Sequence, residues 1–253
     1  MNYLGFIWVR SLFELRAEAK RGYMGFIWWF VEPLIYMTVF YFLFGVILQL
    51  RGGIDNIPFL LCGLIAWKWF ASGILSSAVS LQTNMGLSAQ VYLPKYVFPT
   101  IASMTAMARF LMVFGLFILF LLIGGYSVTE TWLALPLLIA LQFFLIMSIG
   151  FFIASFLPFF PDFKFLLDNI LLLMFFLSGI FFKVSALPVL FQEYLKYNPV
   201  TVLIESLRQI LLDGIWPDWT ALAKVALFSL IVFCCGLYLL VRYDRSYVKR
   251  VVV

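Results

Sequence analysis

Apolar residues recur along this chain in two rhythms. Over residues 3–21 they alternate with charges at helical spacing. Leu4, Trp8, Leu12, Leu15 and Ala19 share one face, and Arg10, Glu14, Glu18 and Arg21 share the other. That pattern predicts an amphipathic interface helix lying in the plane of a membrane. From residue 26 the rhythm becomes long apolar runs, at about 26–50, 58–83, 97–125, 131–157, 163–182 and 222–241. Each is near or above the roughly 20 residues that cross hydrocarbon, so six transmembrane helices are expected. The breaks between runs carry turn residues, such as Arg51-Gly52-Gly53 and Gly124-Gly125-Tyr126. At the junction of the two regimes, Lys20 and Arg21 suit an anionic cytoplasmic surface, and Tyr23, Trp28 and Trp29 suit the headgroup layer.

Residues 184–221 follow neither rhythm. Leu187-Pro188 through Tyr197 suits one short helix. Asn198 is a good N-cap for a second, Pro199 suits its first position, and Gly214 ends it. Leu203, Leu207, Ile210 and Leu211 make its apolar face, while Glu205, Arg208 and Gln209 make a polar one. Too short to span, the segment reads as a re-entrant or surface-lying outer helix pair before the last span.

Composition narrows the class. The chain is 65% hydrophobic and 11% charged, against roughly 25% charged for soluble domains. It reads as one all-α integral membrane domain over 1–253. The net charge of +5 does not point to nucleic acid, because of where the cations sit. With a cytoplasmic N-terminus, the inner side collects Arg10, Arg16, Lys20, Arg21, Lys95, Lys164, Arg242, Arg245, Lys249 and Arg250. The outer side collects only Arg51, Lys183, Lys196, Arg208 and Lys224. Both termini are therefore expected in the cytoplasm. Arg10, Glu14, Arg16 and Glu18 interrupt the place where a cleavable signal peptide would have its apolar core.

The chemistry-bearing motifs are few. There is no histidine, and Cys62, Cys234 and Cys235 lie in apolar runs without metal spacing, so no metal site is expected. The dipeptide Gly-Lys is absent, which excludes a Walker A phosphate loop, and no G-x-S-x-G elbow occurs. Glu32, Arg109 and Asp168 fall inside spans, where ionisable groups are rare and usually functional. Counted from the cytoplasmic ends they are expected to form one charged layer along a translocation path. Lys68 is expected to snorkel from the outer end of its span. Ser72, Ser76 and Ser80, with Gly73 and Ser77, make a small-residue stripe for close helix packing. The inner loop from Asn84 to Tyr96 is expected to hold a short helix that Asn84 caps. Leu87, Val91 and Tyr92 give that helix an apolar docking face, and Pro94-Lys95 stops it.

The order of features resembles the membrane subunit of type-2 ABC polysaccharide exporters, which carry O-antigen, capsule or teichoic acid. The resemblance covers nearly the whole length. Its carriers are Arg21-Gly22-Tyr23-Met24-Gly25-x-x-Trp28 with Glu32-Pro33-Leu34, Phe44-Gly45, and Leu61-x-Gly63-Leu64-Ile65-x-Trp67-x-x-Phe70. Asn84-x-x-Leu87 then leads to Leu93-Pro94-Lys95-x-x-x-Pro99, and Asn198-Pro199 is followed by Arg208. The resemblance implies a homodimer in the bacterial inner membrane, a lipid-linked glycan as substrate and no enzymatic site in this chain. It further implies two separate ABC ATPase subunits that bind ATP and Mg, and a coupling helix after the second span. Two departures bear on ATPase docking: Phe160-Pro161-Asp162 lacks the family's arginine, and Pro94-Lys95 stands where Pro-Arg is usual. An exporter of a smaller lipid or drug is the nearest alternative. An integral membrane transferase acting on a glycolipid would want acids clustered on one loop, and a structural scaffold would not need intramembrane charges.

Overall fold

The computed structural model describes residues 3–20, 57–84, 86, 93–244 and 247, with single positions at 27, 31, 34, 35, 38, 39 and 42. Every regular element among them is helical. Helix α1 spans Tyr3–Lys20, α2 Ile57–Thr83 and α3 Val97–Ile123. A 3-10 turn at Glu130–Ala134 leads into α4, Leu135–Phe156, and α5 is Phe163–Leu177. The short helices α6, Val189–Leu195, and α7, Pro199–Arg208, precede α8, Trp219–Arg242.

Four of these stretches are long and apolar enough to cross a membrane: Ile57–Thr83, Val97–Ile123, Glu130–Phe156 and Trp219–Arg242. They match four expected runs to within a few residues. In hydrocarbon an apolar run must satisfy its own backbone, and an isolated segment can do so only as a helix. The expected run at 26–50 lies mostly outside the described residues.

The expected run 163–182 does not hold as one helix. Helix α5 stops at Leu177, and Gly179 turns left-handed at φ 70. Its 15 residues reach roughly 22 Å at 1.5 Å each, short of the hydrocarbon thickness of roughly 30 Å. The break has a structural cause, because the carbonyls it releases are collected by another helix.

Helix α2 is the hub. It packs on α3, α4, α5 and α7, and α8 packs along α4. Of its apolar window 67% is buried within the chain, against 28% for α3 and 22% for α8, whose remaining faces are left for lipid or a partner. Small residues and polar side chains set the approach. A Cβ on Gly236 would lie 2.6 Å from the backbone nitrogen of Phe152, so α8 rests directly on the backbone of α4. Ser77 meets Ser103 at 2.8 Å, and Gln142 donates to the Ala66 carbonyl at 2.8 Å. The close packing of the serine stripe is carried by Gly73 and Ser77, which pack against α3 and α4. Ser76 and Ser80 instead donate back into their own helix.

Candidate functional site

Among the described residues, a densely hydrogen-bonded polar site lies at the short helices α6 and α7. Asn198 caps α7 by accepting from the Val200 amide at 3.0 Å, with Pro199 in the first turn. The helix widens into a π turn over Gln209–Asp213 and stops at left-handed Gly214. These are the expected caps. The expected polar face is a different matter: Arg208 is only 3% exposed. Its Nη1 donates to the Gly179 carbonyl at 2.7 Å and its Nη2 to the Ile180 carbonyl at 2.8 Å. Nε and Nη2 both donate to the Phe59 carbonyl, at 3.2 and 3.1 Å, and Cζ lies 3.4 Å from the centroid of the Phe59 ring.

One guanidinium thus joins three segments: α7, the start of α2 and the break after α5. A fork of five donors can reach carbonyls in different directions, which a single ammonium cannot. Burial pushes the Arg208 pKa down to about 10, opposed by nearby groups that include Glu205, so the charge persists at neutral pH. Glu205 sits one turn earlier, half-buried, with an Oε2 that has no hydrogen-bond partner among the described residues. Burial raises its pKa, and Arg208 works against the rise. Gly63 makes room for the arrangement, since a Cβ there would lie 2.5 Å from Arg208 Nη2.

The intramembrane charges separate. Arg109 lines a cavity of about 620 Å³ with Arg10, Glu14, Ser76, Asn84 and Thr105. Asp168 lines another, of about 510 Å³, with Lys68, Trp67, Leu75, Phe175 and Phe176. The two linings share no residue, so Arg109 and Asp168 border different cavities. Glu32 lies outside the described residues. Lys68 is corrected. It stands 11 residues beyond Ile57, roughly 16 Å along the helix, in the cavity lining that includes Asp168 rather than at an end of the span. In a double-mutant cycle read by thermal unfolding, Lys68→Met and Asp168→Asn are expected to couple by about 0.5 kcal/mol or more, while Arg109→Met and Asp168→Asn add to within about 0.5 kcal/mol. The reverse pattern would support the single layer.

Helix α1 presents Ile7 and Ser11 to α3, with Ser11 Oγ 3.4 Å from the Ile101 carbonyl. Trp8 and Leu12, from the expected apolar face, remain uncovered by protein, as a helix lying in an interface requires. Arg10 and Glu14 pair at 3.4 Å and border the cavity of Arg109 and Asn84. The structure therefore brings the interface helix and the start of the inner loop to one cleft. The side chain of Glu18 and all of Arg21 lie outside the described residues.

Asn84 turns back on its own helix, its Nδ2 donating to the Ser80 carbonyl at 2.9 Å. The segment it was expected to cap, with Leu87, Val91 and Tyr92, lies outside the described residues. Pro94 accepts from the Val97 amide at 3.0 Å, opening α3. Lys95 is not a surface residue for a partner: it is 2% exposed, and its Nζ donates to the Leu93 carbonyl at 3.3 Å. Burial pushes its pKa down, and Asp244 opposes the shift. Sequence reasoning missed Asp244, Phe59, Gly179 and the cavity that Lys68 and Asp168 share. Ser178-Gly179 inside an apolar run was the available signal for the break.

Comparison with known proteins bears on this arrangement directly. Residues 8–212 match the family model described as ABC-2 type transporter. The chain is 26% identical over 204 residues to the O-antigen export system permease protein RfbA of Klebsiella pneumoniae, covering 80% of this chain and 78% of that one. It is 27% identical over 228 residues to the RfbA permease of Myxococcus xanthus, covering 87% and 85%. It is 28% identical over 238 residues to the polysialic acid transport protein KpsM of Escherichia coli, covering 91% of each chain. The match takes in α1, the hub helix α2, the arginine pin and the outer pair, and with it the chain belongs to the ABC-2 type transporter family of multi-pass membrane transport subunits.

Proposed function

We propose that this chain is the transmembrane subunit of an ATP-driven exporter that moves a lipid-linked polysaccharide, of O-antigen or capsule type, across the bacterial inner membrane. The observation that carries the reading is the near end-to-end similarity to a polysialic acid transport protein and to O-antigen export permeases. ATP and Mg are bound by a separate ABC ATPase subunit, in two copies beneath a homodimer of this chain. The segment at 26–50 and α5 complete six spans, with both termini cytoplasmic and residues 184–221 outside as a re-entrant pair. The pinned break at Gly179 supports that arrangement, because it gives the short helices packed partners for their backbone ends.

The cavity between α2 and α5 suits the wall of a glycan path. Exposed Phe176 lies on its wall beside Phe175, their ring centroids 5.2 Å apart, and Lys68 and Asp168 offer charge to hydroxyl or acidic groups. Ring faces give broad, shallow contact along which a sugar polymer can slide. The tests are biochemical. Purified from native membranes, the chain is expected to bring down an ATPase subunit and a lipid-linked glycan; recovery with neither would remove the reading. A cysteine at Gln192 should react with an impermeant reagent on intact cells and one at Ser246 should not, and labelling at 246 would overturn the orientation.

A further inference from the structure

Asp244 and Tyr247, just beyond the last span, are drawn into the molecule. Asp244 Oδ1 accepts from the backbone amide of Lys95 at 3.1 Å, across 149 residues of sequence. The Tyr247 hydroxyl donates to the Ser155 carbonyl at 2.6 Å. Its ring lies 5.1 Å from that of Phe159, in the turn that follows α4. Around these bonds, Leu81, Leu93, Phe98, Phe151, Leu240 and Tyr247 form a buried cluster separate from the main core.

The cluster gathers the ends of several elements. Leu81 closes α2, Leu93 leaves the inner loop, Phe98 opens α3, Phe151 lies near the end of α4, and Leu240 lies near the end of α8. Pro94 has no amide to give, so the Lys95 amide is the first donor on the loop exit after Leu93, and Asp244 takes it. A carboxylate accepting a backbone N–H makes a charge-assisted bond. The Lys95 side chain meanwhile folds back onto the Leu93 carbonyl. The loop exit is thereby fixed to α8 through Asp244, and α4 is fixed to the same segment through Tyr247.

We infer that Asp244 and Tyr247 are positioning residues of a transmission clamp, which makes the exit of the inner loop, α4 and α8 move as one body. This rests on the reading above, in which a partner ATPase pushes the inner loop. Without the clamp, a push on residues 84–92 would pass directly only to α2 and α3, the two helices that flank the loop. With it, the displacement also passes to α8 and, through the close contact at Gly236, to the backbone of α4.

The experiment uses the full exporter with its ATPase subunit in proteoliposomes, comparing Asp244→Ala, Asp244→Asn and Tyr247→Phe. Membrane insertion, ATP hydrolysis and glycan moved per ATP are read together, with hydrogen exchange at the Lys95 amide as an independent measure. Asp244→Ala and Tyr247→Phe are expected to hydrolyse ATP while moving at least about fivefold less glycan per ATP. Asp244→Asn keeps an oxygen that can accept from Lys95 and should restore most of the coupling. Exchange at Lys95 should quicken in Asp244→Ala. Unchanged glycan per ATP in both Asp244→Ala and Tyr247→Phe would overturn the clamp. Should Asp244→Ala fail to insert, Tyr247→Phe decides, since it keeps the ring and removes one hydroxyl. If the wild-type complex hydrolyses ATP but moves no glycan, the exporter reading fails by itself. The exchange measurement then decides the clamp, and an unchanged rate at Lys95 in Asp244→Ala would overturn it.

Discussion

Replacing Arg208 with leucine is expected to cost roughly 3–5 kcal/mol of stability and to release the outer helix pair. The side chain fits the volume approximately, so packing loss is the smaller part. The larger part is polar, because the carbonyls of Phe59, Gly179 and Ile180 lose their shared donor at once. Each buried carbonyl left without a partner costs about 1–3 kcal/mol. The short helix α7 would then keep only its apolar face to hold it, and left-handed Gly179 would lose the contact that fixes the break. Arg208→Lys should recover only part of the loss, since one ammonium cannot reach three carbonyls in two directions. Gly63→Ala should resemble the arginine variants, because its new methyl meets Nη2 at 2.5 Å while that group is held by hydrogen bonds. The readouts are the midpoint of thermal unfolding in detergent and the rate of proteolysis within residues 184–216 from the outer face. An Arg208→Leu protein as stable and as protected as wild type would refute the pin.

Gly236→Ala is the second large effect. The added carbon would lie 2.6 Å from the Phe152 nitrogen and 3.0 Å from the Phe151 carbonyl carbon. Both are backbone atoms inside a helix and cannot turn aside as a side-chain tip can. Helix α8 must therefore back away from α4. That places the cost at about 3 kcal/mol, the upper end of the usual overpacking range. In lipid the loss is not recovered by hydrophobic contact elsewhere, since helix association there depends on close packing. Gly115→Ala is the matched control: nothing lies within 4 Å of a Cβ at that position, so thermal stability should hold or rise slightly. Equal midpoints for the two variants would show that the α4–α8 contact does not set stability.

The parts of this fold that were legible in the sequence are those governed by solvation of the backbone. Apolar runs at 58–83, 97–125, 131–157 and 222–241 correspond to helices because lipid leaves them no other way to satisfy their amides. Caps were legible for a similar reason, as at Asn198, Pro199 and Gly214, where the local bond or dihedral is fixed by residue type. What sequence could not reveal depends on partners distant along the chain. Arg208 looked like part of a polar face because one helix period cannot record that carbonyls 28 and 29 residues earlier would collect its charge. The end of α5 at Leu177 is the same fact seen from the other side. Lys68 and Asp168 share one cavity lining and Arg109 borders another, a grouping that depends on helix rotation and so is not recorded in the positions of the charges along the chain. Lys95 was placed with Pro94 at the end of the inner loop, and its burial there depends on the distant Asp244, which accepts from its backbone amide, and on Leu93, whose carbonyl takes its Nζ.

Transport itself is the most direct measurement. The chain and its ATPase subunit are placed in vesicles with a lipid-linked polysaccharide in the outer leaflet and the ATPase facing the bath. Glycan protected from an added glycosidase is then followed with and without ATP. The expected result is ATP-dependent protection that disappears when the ATPase cannot hydrolyse nucleotide. A complex that hydrolyses ATP and moves a smaller lipid, while all of the polysaccharide stays open to the enzyme, would contradict the assignment.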